Sequence, residues 1–346
     1  MNFPERRRRF TGRFGELSID AAVISSPANI RYLSGFTGSN ALLAVTPSKS
    51  VLLTDPRYSI QARQETDCQV RTVIGRLSDA VALRGRIGFE NTRISYDLYS
   101  RLKGRLEPLG TVLDEMRMVK SPEEVERIRA SVRLNSEAYW RGLRRVRPET
   151  TESGLAAEFD YQMRRLGAEK PAFDTIVAAG PRTALPHAQP TGARMPRRGL
   201  LLVDMGACLD GYASDMTRMA HFGRPDTKVR NVYRAVLEAQ LAALGAVRAG
   251  VTAGAVDSVA RRELRKAGFA RQFVHSTGHG LGLEIHEAPR LGKREKQTRL
   301  EEGMVVTIEP GVYIEGWGGI RIEDTVVVTA QGCEVLTPTP KELTVL

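Results

Sequence analysis

Four carboxylates and one imidazole in the second half of the chain are the side chains best suited to chemistry. They are Asp204, Asp215, His279, Glu309 and Glu323. Each lies in or at the end of an apolar, β-like run, where an isolated charge would be costly to bury. Carboxylates can converge in a protein interior only if they share protons or hold a cation. One imidazole with four carboxylates is an oxygen-rich ligand set for two divalent metals, so the sequence predicts a dinuclear metallohydrolase.

Asp204 and Asp215 flank a predicted β-hairpin. The apolar run LLLV precedes Asp204, and the Asp210-Gly211 pair is typical of a tight turn. The returning strand would bring Asp215 roughly opposite Asp204, near one face. A solvent-facing pair of carboxylates is the alternative, but the apolar run before Asp204 indicates a core strand and favours the ligand interpretation.

Three of the five histidines lie in one glycine-rich segment that begins at His275 and ends at His286. The spacing of four residues between His275 and His279 resembles that of zinc-binding helices, but the interspersed glycines disfavour a helix. Glycines beside a metal-bound histidine allow the backbone to approach closely. A lone histidine is usually structural, whereas a cluster of three in a glycine-rich strand indicates a site.

The last two carboxylates lie in short apolar segments near the C-terminus. Glu309 ends the run MVVTI before a Pro-Gly pair, and Glu323 lies in the segment GIRIE. Arg321 and Glu323 are two residues apart, so on a strand they face the same side. A surface Arg–Glu pair stays open as the alternative if Ile320 and Ile322 fill the buried face.

Two domains are predicted from the elements that must position these residues. Residues 21–26, 41–46, 50–55 and 87–90 form β-like runs between helical stretches, which indicates an α/β domain at 1–113. A linker follows at 114–120. The capping box Ser121-Pro122-Glu123-Glu124 begins a second domain at 121–346, with further helices predicted at about 151–166, 226–246 and 252–267.

Two helix-opening segments suggest an internal duplication. The pattern Val-Arg-x-x-x-Thr occurs at 146–151 and at 247–252. Each predicted helix stops at a glycine 16 residues after its threonine, since 167 − 151 = 268 − 252 = 16. Threonine before a helix and glycine after it are ordinary caps, so coincidence stays open as the alternative.

Charge and composition narrow the class of protein. The chain has 51 basic and 40 acidic residues, a net charge of +11, but the basic residues are spread along it and only 6% of residues are aromatic. No nucleic-acid-binding motif is present, so we expect no nucleic-acid partner. The one basic cluster, Arg6–Arg9, begins a predicted helix with Phe10 and Phe14 on its apolar face. A solvated helix face is favoured there over a phosphate-binding arm.

The sequence also favours a particular compartment. Its three cysteines are scattered, which is typical of a protein from a reducing environment. The N-terminus leads into no apolar signal region, and no apolar run reaches the ~20 residues that span a bilayer. We therefore expect a cytoplasmic protein with no membrane partner.

The five candidate ligands, in this order and in these motifs, resemble those of the pita-bread metallopeptidases. That family includes methionine aminopeptidase, aminopeptidase P and prolidase. The stretch NIRYLSGFTGSNALL resembles the creatinase-like N-terminal domain of the proline-specific branch, which argues against plain methionine aminopeptidase. The resemblance covers essentially the whole chain and implies an α+β fold, with a C-terminal pita-bread (creatinase/aminopeptidase) domain after an N-terminal α/β creatinase-like domain. All five ligand positions are filled, which disfavours metal-free creatinase and the non-catalytic histone-chaperone relatives.

The resemblance also implies a division of labour among the ligands. Asp204 would chelate one metal, Asp215 and Glu323 would bridge both, and His279 and Glu309 would complete the other. A hydroxide shared by the two metals would attack the carbonyl that precedes proline. Mn²⁺ is favoured for two ions per subunit in this oxygen-dominated set, with Co²⁺ and Zn²⁺ as alternatives. Glu309 is the candidate for carrying protons between the nucleophile and the departing imide nitrogen.

The neighbours of the ligands would decide the substrate. By resemblance, His286 would hydrogen-bond the scissile carbonyl or the developing oxyanion, and His187 occupies a substrate-side position. His275 would line the proline pocket, and Tyr313 is a further candidate for the substrate pocket. Arg321 would orient the bridging carboxylates.

The predicted activity is removal of the first residue from Xaa-Pro peptides, as in aminopeptidase P. Prolidase activity, which splits only Xaa-Pro dipeptides, is the alternative, because Arg290, four residues after His286, could bind the proline carboxylate. A surface arginine after Pro289 is the other interpretation of that residue. A metal-lacking binding protein on the same scaffold is a more distant alternative. The implied partners are proline-containing peptides and a second copy of the chain in a homodimer.

Overall fold

The structure, a computed structural model, describes residues 1–346 and divides into two compact units, 1–117 and 118–346. Both units mix helices and sheets, which confirms the predicted α+β class. None of the helices combines the length and the apolar composition that a membrane span requires.

The first unit is built on one six-stranded mixed sheet. Its strands are β1 (Ala21–Ile24), β2 (Ala41–Val45), β3 (Ser50–Thr54), β4 (Gln69–Thr72), β5 (Arg86–Phe89) and β6 (Arg105–Pro108). The order across the sheet is β4-β3-β2-β1-β5-β6. Strand β2 is antiparallel to both of its neighbours, and the remaining pairs are parallel. The four β-like runs predicted from the sequence correspond to β1, β2, β3 and β5.

Six helices complete the first unit. They are α1 (Phe3–Gly12), α2 (Phe14–Leu17), α3 (Pro27–Ser34), α4 (Ser59–Glu65), α5 (Tyr96–Arg101) and α6 (Val112–Met118). One face of the sheet buries Val23, Leu53 and Ile87 in an apolar cluster. Burial of such side chains is the main favourable contribution to folding a unit of this size.

The arginine cluster at the N-terminus differs from its predicted state. Arg6 is buried, donates to Tyr32 O at 3.2 Å and lies 4.2 Å above the Tyr32 ring. Arg7 donates to Leu33 O at 2.8 Å and forms an ion pair with Asp67. The prediction of a solvated helix face is therefore wrong for these two residues. Carbonyl acceptors and an aromatic face can stabilise a buried guanidinium, which the charge pattern alone does not reveal.

Four helices belong to the second unit. They are α7 (Pro122–Leu143), α8 (Glu152–Arg165), α9 (Thr227–Ala246) and α10 (Ala253–Lys266). All four were predicted, and the capping box before α7 is present: Ser121 Oγ accepts from Glu124 N at 3.3 Å, and the Glu124 carboxylate accepts from Ser121 N at 2.9 Å. Helices α9 and α10 bury Val236, Val256 and Leu264 in the main core.

Short strands fill the rest of the second unit. They are β7 (Lys170–Pro171), β8 (Ile176–Ala179), β9 (Gly199–Met205), β10 (Ala207–Leu209), β11 (Tyr212–Ala213), β12 (Met216–Phe222), β13 (Gly278–Gly280), β14 (Glu287–Leu291), β15 (Val305–Ile308), β16 (Gly311–Ile314), β17 (Gly318–Arg321), β18 (Asp324–Val328), β19 (Cys333–Val335) and β20 (Thr344–Val345). Two larger sheets have the orders β20-β12-β9-β8 and β14-β13-β15-β18-β19, and two smaller ones are β11-β10-β7 and β16-β17. The larger sheets supply most of the elements that carry the candidate ligands.

The duplication suggested by the sequence extends into the structure. Helices α8 and α10 both span 14 residues and are capped by Thr151 and Thr252, whose side chains accept from the N–H three residues later. Each threonine also forms an isolated antiparallel bridge, Thr151 with Arg194 and Thr252 with Arg299. Ordinary helix caps do not require such matched bridges, so they favour an internal repeat over coincidence.

Candidate metal centre

Asp204 and Asp215 are brought together by the predicted hairpin. Strand β12 pairs antiparallel with β9, and Thr217 lies opposite Asp204, so Asp215 lies two residues before that position. The turn falls at Asp210 and Gly211, with φ of 49° and 79°, as a tight hairpin turn requires. Both carboxylate residues are buried, with 9% and 5% of their surface exposed. The pair therefore does not face solvent.

His279 lies in the short strand β13, where the flanking glycines let neighbouring strands approach closely. A Cβ on Gly278 would lie 1.9 Å from Thr307 O, and one on Gly280 would lie 2.3 Å from Ala288 O. No side chain larger than hydrogen fits either position. The segment is a strand rather than a helix, and the predicted close approach of the backbone is present.

Replacing Gly278 by alanine is expected to destabilise the second unit by about 3 kcal/mol, at the upper end for overpacking, because the clash is with backbone. Denaturant unfolding measures this loss. The matched control is Gly292→Ala, since a Cβ there would meet nothing closer than Ser276 Cβ at 3.5 Å. Equal losses in the two variants would contradict the close-approach argument.

Glu309 and Glu323 come from the ends of two paired strands. Glu309 follows β15, and its N–H donates to Thr277 O at 2.7 Å. Glu323 lies just before β18, and its N–H donates to Thr217 O at 3.3 Å. Strands β15 and β18 are antiparallel partners. The residue after the first strand and the residue before the second therefore lie at the same end of the pair.

The five candidate ligands converge on one cavity. Asp215, His279 and Glu323 each offer a ligand atom, and these atoms all lie within 4.8 Å of one another. His279 Nε2 is 3.5 Å from Asp215 Oδ2 and 3.5 Å from Glu309 Oε1. Asp204 lines the same cavity. Segments separated by more than 100 residues thus bring together the set singled out from the sequence.

His279 faces these carboxylates as a neutral imidazole. Burial lowers the pKa of His279 to about 4, and its Nδ1 is 2.9 Å from Gly280 O. A carbonyl oxygen can only accept, so Nδ1 carries the proton and Nε2 presents a lone pair to the carboxylates. The two 3.5 Å approaches are therefore not ion pairs. A carbonyl-bound Nδ1 with a free Nε2 is the arrangement of a metal-binding histidine.

The carboxylates are too crowded to be ionised together without a cation. Burial raises the pKa of Asp215 and of Glu323, and the neighbouring carboxylates raise both further. Burial also raises the pKa of Glu309 to about 8. Asp204 Oδ1 is buried without a hydrogen-bond partner. Crowded oxygen acceptors with too few donors suit hard divalent cations, so these residues fit divalent metal ions.

Arg321 is buried beside the ligands rather than at the surface. It is 3% exposed, and its Nη2 donates to Asp204 Oδ2 at 2.6 Å. Its Nε donates to Thr217 Oγ1 at 2.9 Å, and that hydroxyl donates to Glu323 Oε2 at 2.7 Å. The surface-pair alternative for Arg321 and Glu323 is therefore excluded. Arg321 contacts one carboxylate directly and another through a hydroxyl.

Thr217 is a contact that sequence reasoning missed. Its hydroxyl lies between Arg321 and Glu323, and the residue is fully buried. A signal for it was available, because Thr217 lies two residues after Asp215 and strand alternation puts both on one face. A threonine near a ligand is common in any strand, so the pattern alone did not single it out.

The cavity that the ligands line has a volume of about 600 Å³. Its wall also includes His187, His286, Arg290, Phe173 and Ile285. The His286 ring lies 4.4 Å from the His279 ring, and burial lowers the pKa of His286. Arg290 lies directly opposite His279 in the pairing of β13 with β14. Candidate substrate-binding groups therefore lie on the same cavity as the candidate metal ligands.

His275 lines the cavity as well, and Tyr313 lies behind it. His275 Nδ1 is 2.7 Å from Ser276 O, so its Nε2 accepts from the Tyr313 hydroxyl at 2.9 Å. That hydroxyl also accepts from Arg321 Nη1 at 2.8 Å. Burial, and then the charge of Arg321, lowers the pKa of His275 to about 3, so its ring is neutral. Tyr313 supports the cavity wall, which differs from the expectation that it lines the pocket.

Comparison with family models supports the assignment of both units. Residues 126–330 match "Metallopeptidase family M24", and residues 6–119 match "Creatinase/Prolidase N-terminal domain". An Xaa-Pro dipeptidase from Pyrococcus furiosus is 36% identical over 348 residues, covering 98% of this chain and 99% of that protein. Similarity of this extent reaches well beyond the motifs that carry the ligands.

Solved structures are equally similar over the full length. The Xaa-Pro dipeptidase from Bacillus anthracis superposes with a TM-score of 0.96 at 35% identity, covering 100% of both chains. The X-Pro aminopeptidase from Thermotoga maritima superposes with a TM-score of 0.91 at 38% identity, covering 99% of both chains. The predicted creatinase-like and pita-bread domains are thereby confirmed. The chain belongs to metallopeptidase family M24 and is a metal-dependent peptidase of the pita-bread fold.

Proposed function

We propose that this chain is an Xaa-Pro dipeptidase that works with two divalent metal ions. The observation that carries the proposal is the position of Arg290, which lies opposite His279 in the strand register and on the wall of the same cavity. A guanidinium on the strand paired with that of a metal ligand can bind the free carboxylate of a proline whose amide bond lies at the metals. The distance between bond and carboxylate is short only in a dipeptide.

The metal ions would be held by the five candidate ligands. All five, Asp204, Asp215, His279, Glu309 and Glu323, would supply ligand atoms to the ions. Four carboxylates with one imidazole suit Mn²⁺, and Co²⁺ and Zn²⁺ are the alternatives. Elemental analysis of the purified protein, with activity restored by each ion in turn, decides among them.

The chemistry divides between the ions and the side chains. Two cations in this set would activate a water molecule and polarise the carbonyl oxygen before proline. Glu309 would accept a proton from that water and deliver it to the imide nitrogen as the bond breaks. Arg321 would hold Asp204 in its orientation through the 2.6 Å hydrogen bond and so keep the ligand geometry fixed.

Two histidines would act on the substrate rather than on the ions. His286 lies against His279 and borders the cavity, so its ring could donate to the carbonyl oxygen as negative charge develops there. Burial lowers the pKa of His286, which makes it a neutral donor. His187 is exposed and lines the same cavity, so it would contact the substrate side of the bond.

The proline ring needs a pocket of its own because its nitrogen carries no N–H for a peptidase to bind. His275 offers a neutral ring face at the cavity, since its protonated form is disfavoured and both ring nitrogens are engaged. A neutral ring packs against an apolar pyrrolidine without loss of hydration of a charge. We assign it to the proline side of the cavity.

An aminopeptidase P-like activity, the main expectation from the sequence, has less support. The relatives named Xaa-Pro dipeptidase include proteins from Pyrococcus furiosus and Pyrococcus horikoshii, each 36% identical over most of the chain. The Thermotoga structure named X-Pro aminopeptidase instead favours the aminopeptidase P-like activity. The two activities differ in the substrate: in a dipeptide the proline carries the free carboxylate, whereas in a longer peptide that group is part of the next peptide bond. Arg290, the proposed carboxylate-binding group, is therefore the residue to test.

Replacing Arg290 by alanine should raise the KM for an Xaa-Pro dipeptide by about 10-fold to 100-fold, the value of a charge-assisted hydrogen bond. The wild-type chain should cleave the dipeptide much faster than an Xaa-Pro-Yaa peptide. The variant should lose that preference, because its remaining contacts are common to both substrates. Steady-state kinetics on both substrates with Mn²⁺ measures the change.

Arg294→Ala is the matched control, since Arg294 is an exposed arginine four residues later. It should leave both substrates unaffected. Equal losses on dipeptide and tripeptide in Arg290→Ala, or a wild-type preference for the tripeptide, would favour aminopeptidase P-like activity instead. The homodimer expected from the resemblance stays a prediction, which sedimentation velocity tests.

A further inference from the structure

A buried ion pair outside the ligand set borders the cavity. Lys120 Nζ lies 3.1 Å from Glu287 Oε2, and the two side chains are only 2% and 5% exposed. Glu287 lines the cavity and directly follows His286. Neither charged residue has a role in the ligand set or in the substrate contacts described above.

The lysine is held in place from the backbone. Lys120 N donates to Gly303 O at 3.0 Å, and Val119 forms an antiparallel bridge with Met304. Gly303 and Met304 directly precede strand β15, which pairs with the strand that carries His279. The backbone that carries the Lys120 side chain is therefore anchored to the sheet of the metal centre.

The carboxylate of Glu287 closes the turn between β13 and β14. Its Oε1 accepts from Glu284 N at 3.0 Å, so the side chain bonds to its own turn on one side and to Lys120 on the other. A Cβ on Gly282 would lie 2.8 Å from both carboxylate oxygens. Glycine at that position leaves the space that the carboxylate fills, which accounts for a glycine that the metal ligands do not require.

His286 is at the end of that turn. The ring of His286 is exposed to the cavity and lies 4.4 Å from the ring of His279. Glu287 pairs with Gly280 in the strand register, next to His279. The orientation of the His286 ring thus depends on how the turn is held. A backbone bond from Ala213 N to Gly282 O at 2.7 Å holds its first half, and the carboxylate of Glu287 holds the half next to His286.

A buried ion pair is a weak means of stabilising a fold, because desolvation offsets most of the attraction between the charges. Two apolar side chains would fill the same space at least as well. Unlike apolar packing, the ion pair is directional. The Glu287 carboxylate holds its two donors, Glu284 N and Lys120 Nζ, at defined distances and angles. The site therefore has the character of a positioning device.

We infer that Lys120 is a positioning residue which, through Glu287, holds the turn at 281–287 so that His286 faces the metal centre. The inference deepens the proposed function, since His286 is the group assigned there to the developing oxyanion. Lys120 does not line the cavity, and it acts only through its carboxylate partner. Removing the charge of Lys120 should misalign the His286 ring without altering any of the five candidate metal ligands.

The first measurement needs no catalysis. The chain has five histidines, so ring resonances of protein labelled with ¹³C-histidine can be assigned by single substitutions. Lys120→Met should shift or broaden the His286 ring resonances, in the protein as purified and with Zn²⁺ added, and should leave those of His221 unchanged. His286 resonances that are identical to wild type would overturn the inference. This result stands whether or not the chain cleaves Xaa-Pro bonds.

The second measurement is kinetic. Lys120→Met should lower kcat by about 10-fold to 100-fold, as outer contacts of metal sites commonly do, with KM changed by less than about 3-fold because binding groups stay in place. In a His286→Ala background the same substitution should have little further effect. An undiminished effect in that background would show that Lys120 acts independently of His286, and would overturn the inference.

Two further variants keep the test decisive. Arg129→Met is the control, because Arg129 pairs with Glu334 on an exposed surface and should change neither the resonances nor kcat. If Lys120→Met does not fold, Glu287→Gln replaces it in both measurements. That substitution retains an acceptor for Glu284 N and should give a smaller change in the same direction. No change at His286 in Glu287→Gln would count against the inference as well.

Discussion

Replacing Glu309 by glutamine should abolish hydrolysis, with kcat/KM lower by about 10³-fold or more, because positioned proton transfer alone contributes 10²–10⁴-fold. The amide has nearly the shape of the carboxylate but cannot accept the proton of the attacking water. It is also a poor metal ligand beside His279, whose Nε2 is 3.5 Å from Glu309 Oε1. The loss should therefore persist at saturating Mn²⁺.

The fold should survive this substitution. Glu309 is a buried carboxylate whose pKa burial raises to about 8, so its ionised form is unfavourable in the folded chain. A neutral amide removes that penalty, and the metal-free variant should unfold at a temperature equal to or above that of the metal-free wild type. The Glu309→Ala variant should be equally inactive.

The control for Glu309 is Glu302→Gln. Glu302 is an exposed glutamate shortly before the same strand, and its replacement should alter neither turnover nor unfolding. Turnover by Glu309→Gln within about 10-fold of wild type, with Mn²⁺ added, would refute both assigned roles. A variant that is inactive only because it unfolds would be detected by its lowered thermal transition.

The elements that position the site followed closely from the sequence. Helix caps such as Ser121 and Thr151 are local signals, and the predicted helices begin at them. The Asp210-Gly211 turn is local as well, and its positive φ values explain why those residue types stand there. The five candidate ligands stood out because a charged side chain is costly to bury and is therefore unexpected in an apolar segment.

Contacts between distant segments were harder to predict. Arg321 to Asp204 and Lys120 to Glu287 each join segments more than 100 residues apart. Neither spacing nor periodicity reports on such a pair, since each residue alone is compatible with a solvated surface. The buried state of Arg6 was missed for the same reason, because the aromatic ring that covers it lies 26 residues away.

Substrate choice is harder still to predict, because it depends on distances within the cavity. His187, His275, His286 and Arg290 all line it, so each candidate singled out for substrate binding lies where contact can occur. Tyr313 does not follow this pattern, as its hydroxyl is used by His275 and Arg321. Residue type and sequence position identified these residues as neighbours of the ligands. Only the hydrogen bonds in the structure distinguish the residues that line the cavity from Tyr313, which lies behind them.

Removing the metal ions should destabilise the chain, and more so as the pH rises. An ion present at 1,000 times its dissociation constant stabilises the folded state by about 4 kcal/mol. For a domain of this size that corresponds to a rise in Tm of about 8–16 °C per site. Scanning calorimetry of chelator-treated and Mn²⁺-loaded protein measures the difference.

The direction of the pH dependence follows from the carboxyl groups. The folded-state pKa of Glu309 is about 8, whereas an unfolded glutamate has a pKa of about 4.3. A raised pKa contributes stability that is fully present below the unfolded value and is lost as the pH rises through the folded value. The pKa values of Asp215 and Glu323 are raised as well. The metal-free chain should therefore lose stability between about pH 4 and pH 8.

Metal ions reverse this trend because they compete with protons for the same oxygens. The gain in Tm from Mn²⁺ should be small near pH 5 and should grow toward pH 8. Glu309→Gln is the internal control: it lacks one titrating carboxyl, so its metal-free Tm should fall less steeply over that range. A gain that is constant with pH, or largest at pH 5, would contradict the assignment of the crowded carboxylates as metal ligands. In that case the buried carboxylates would be stabilised by shared protons and not by a bound cation.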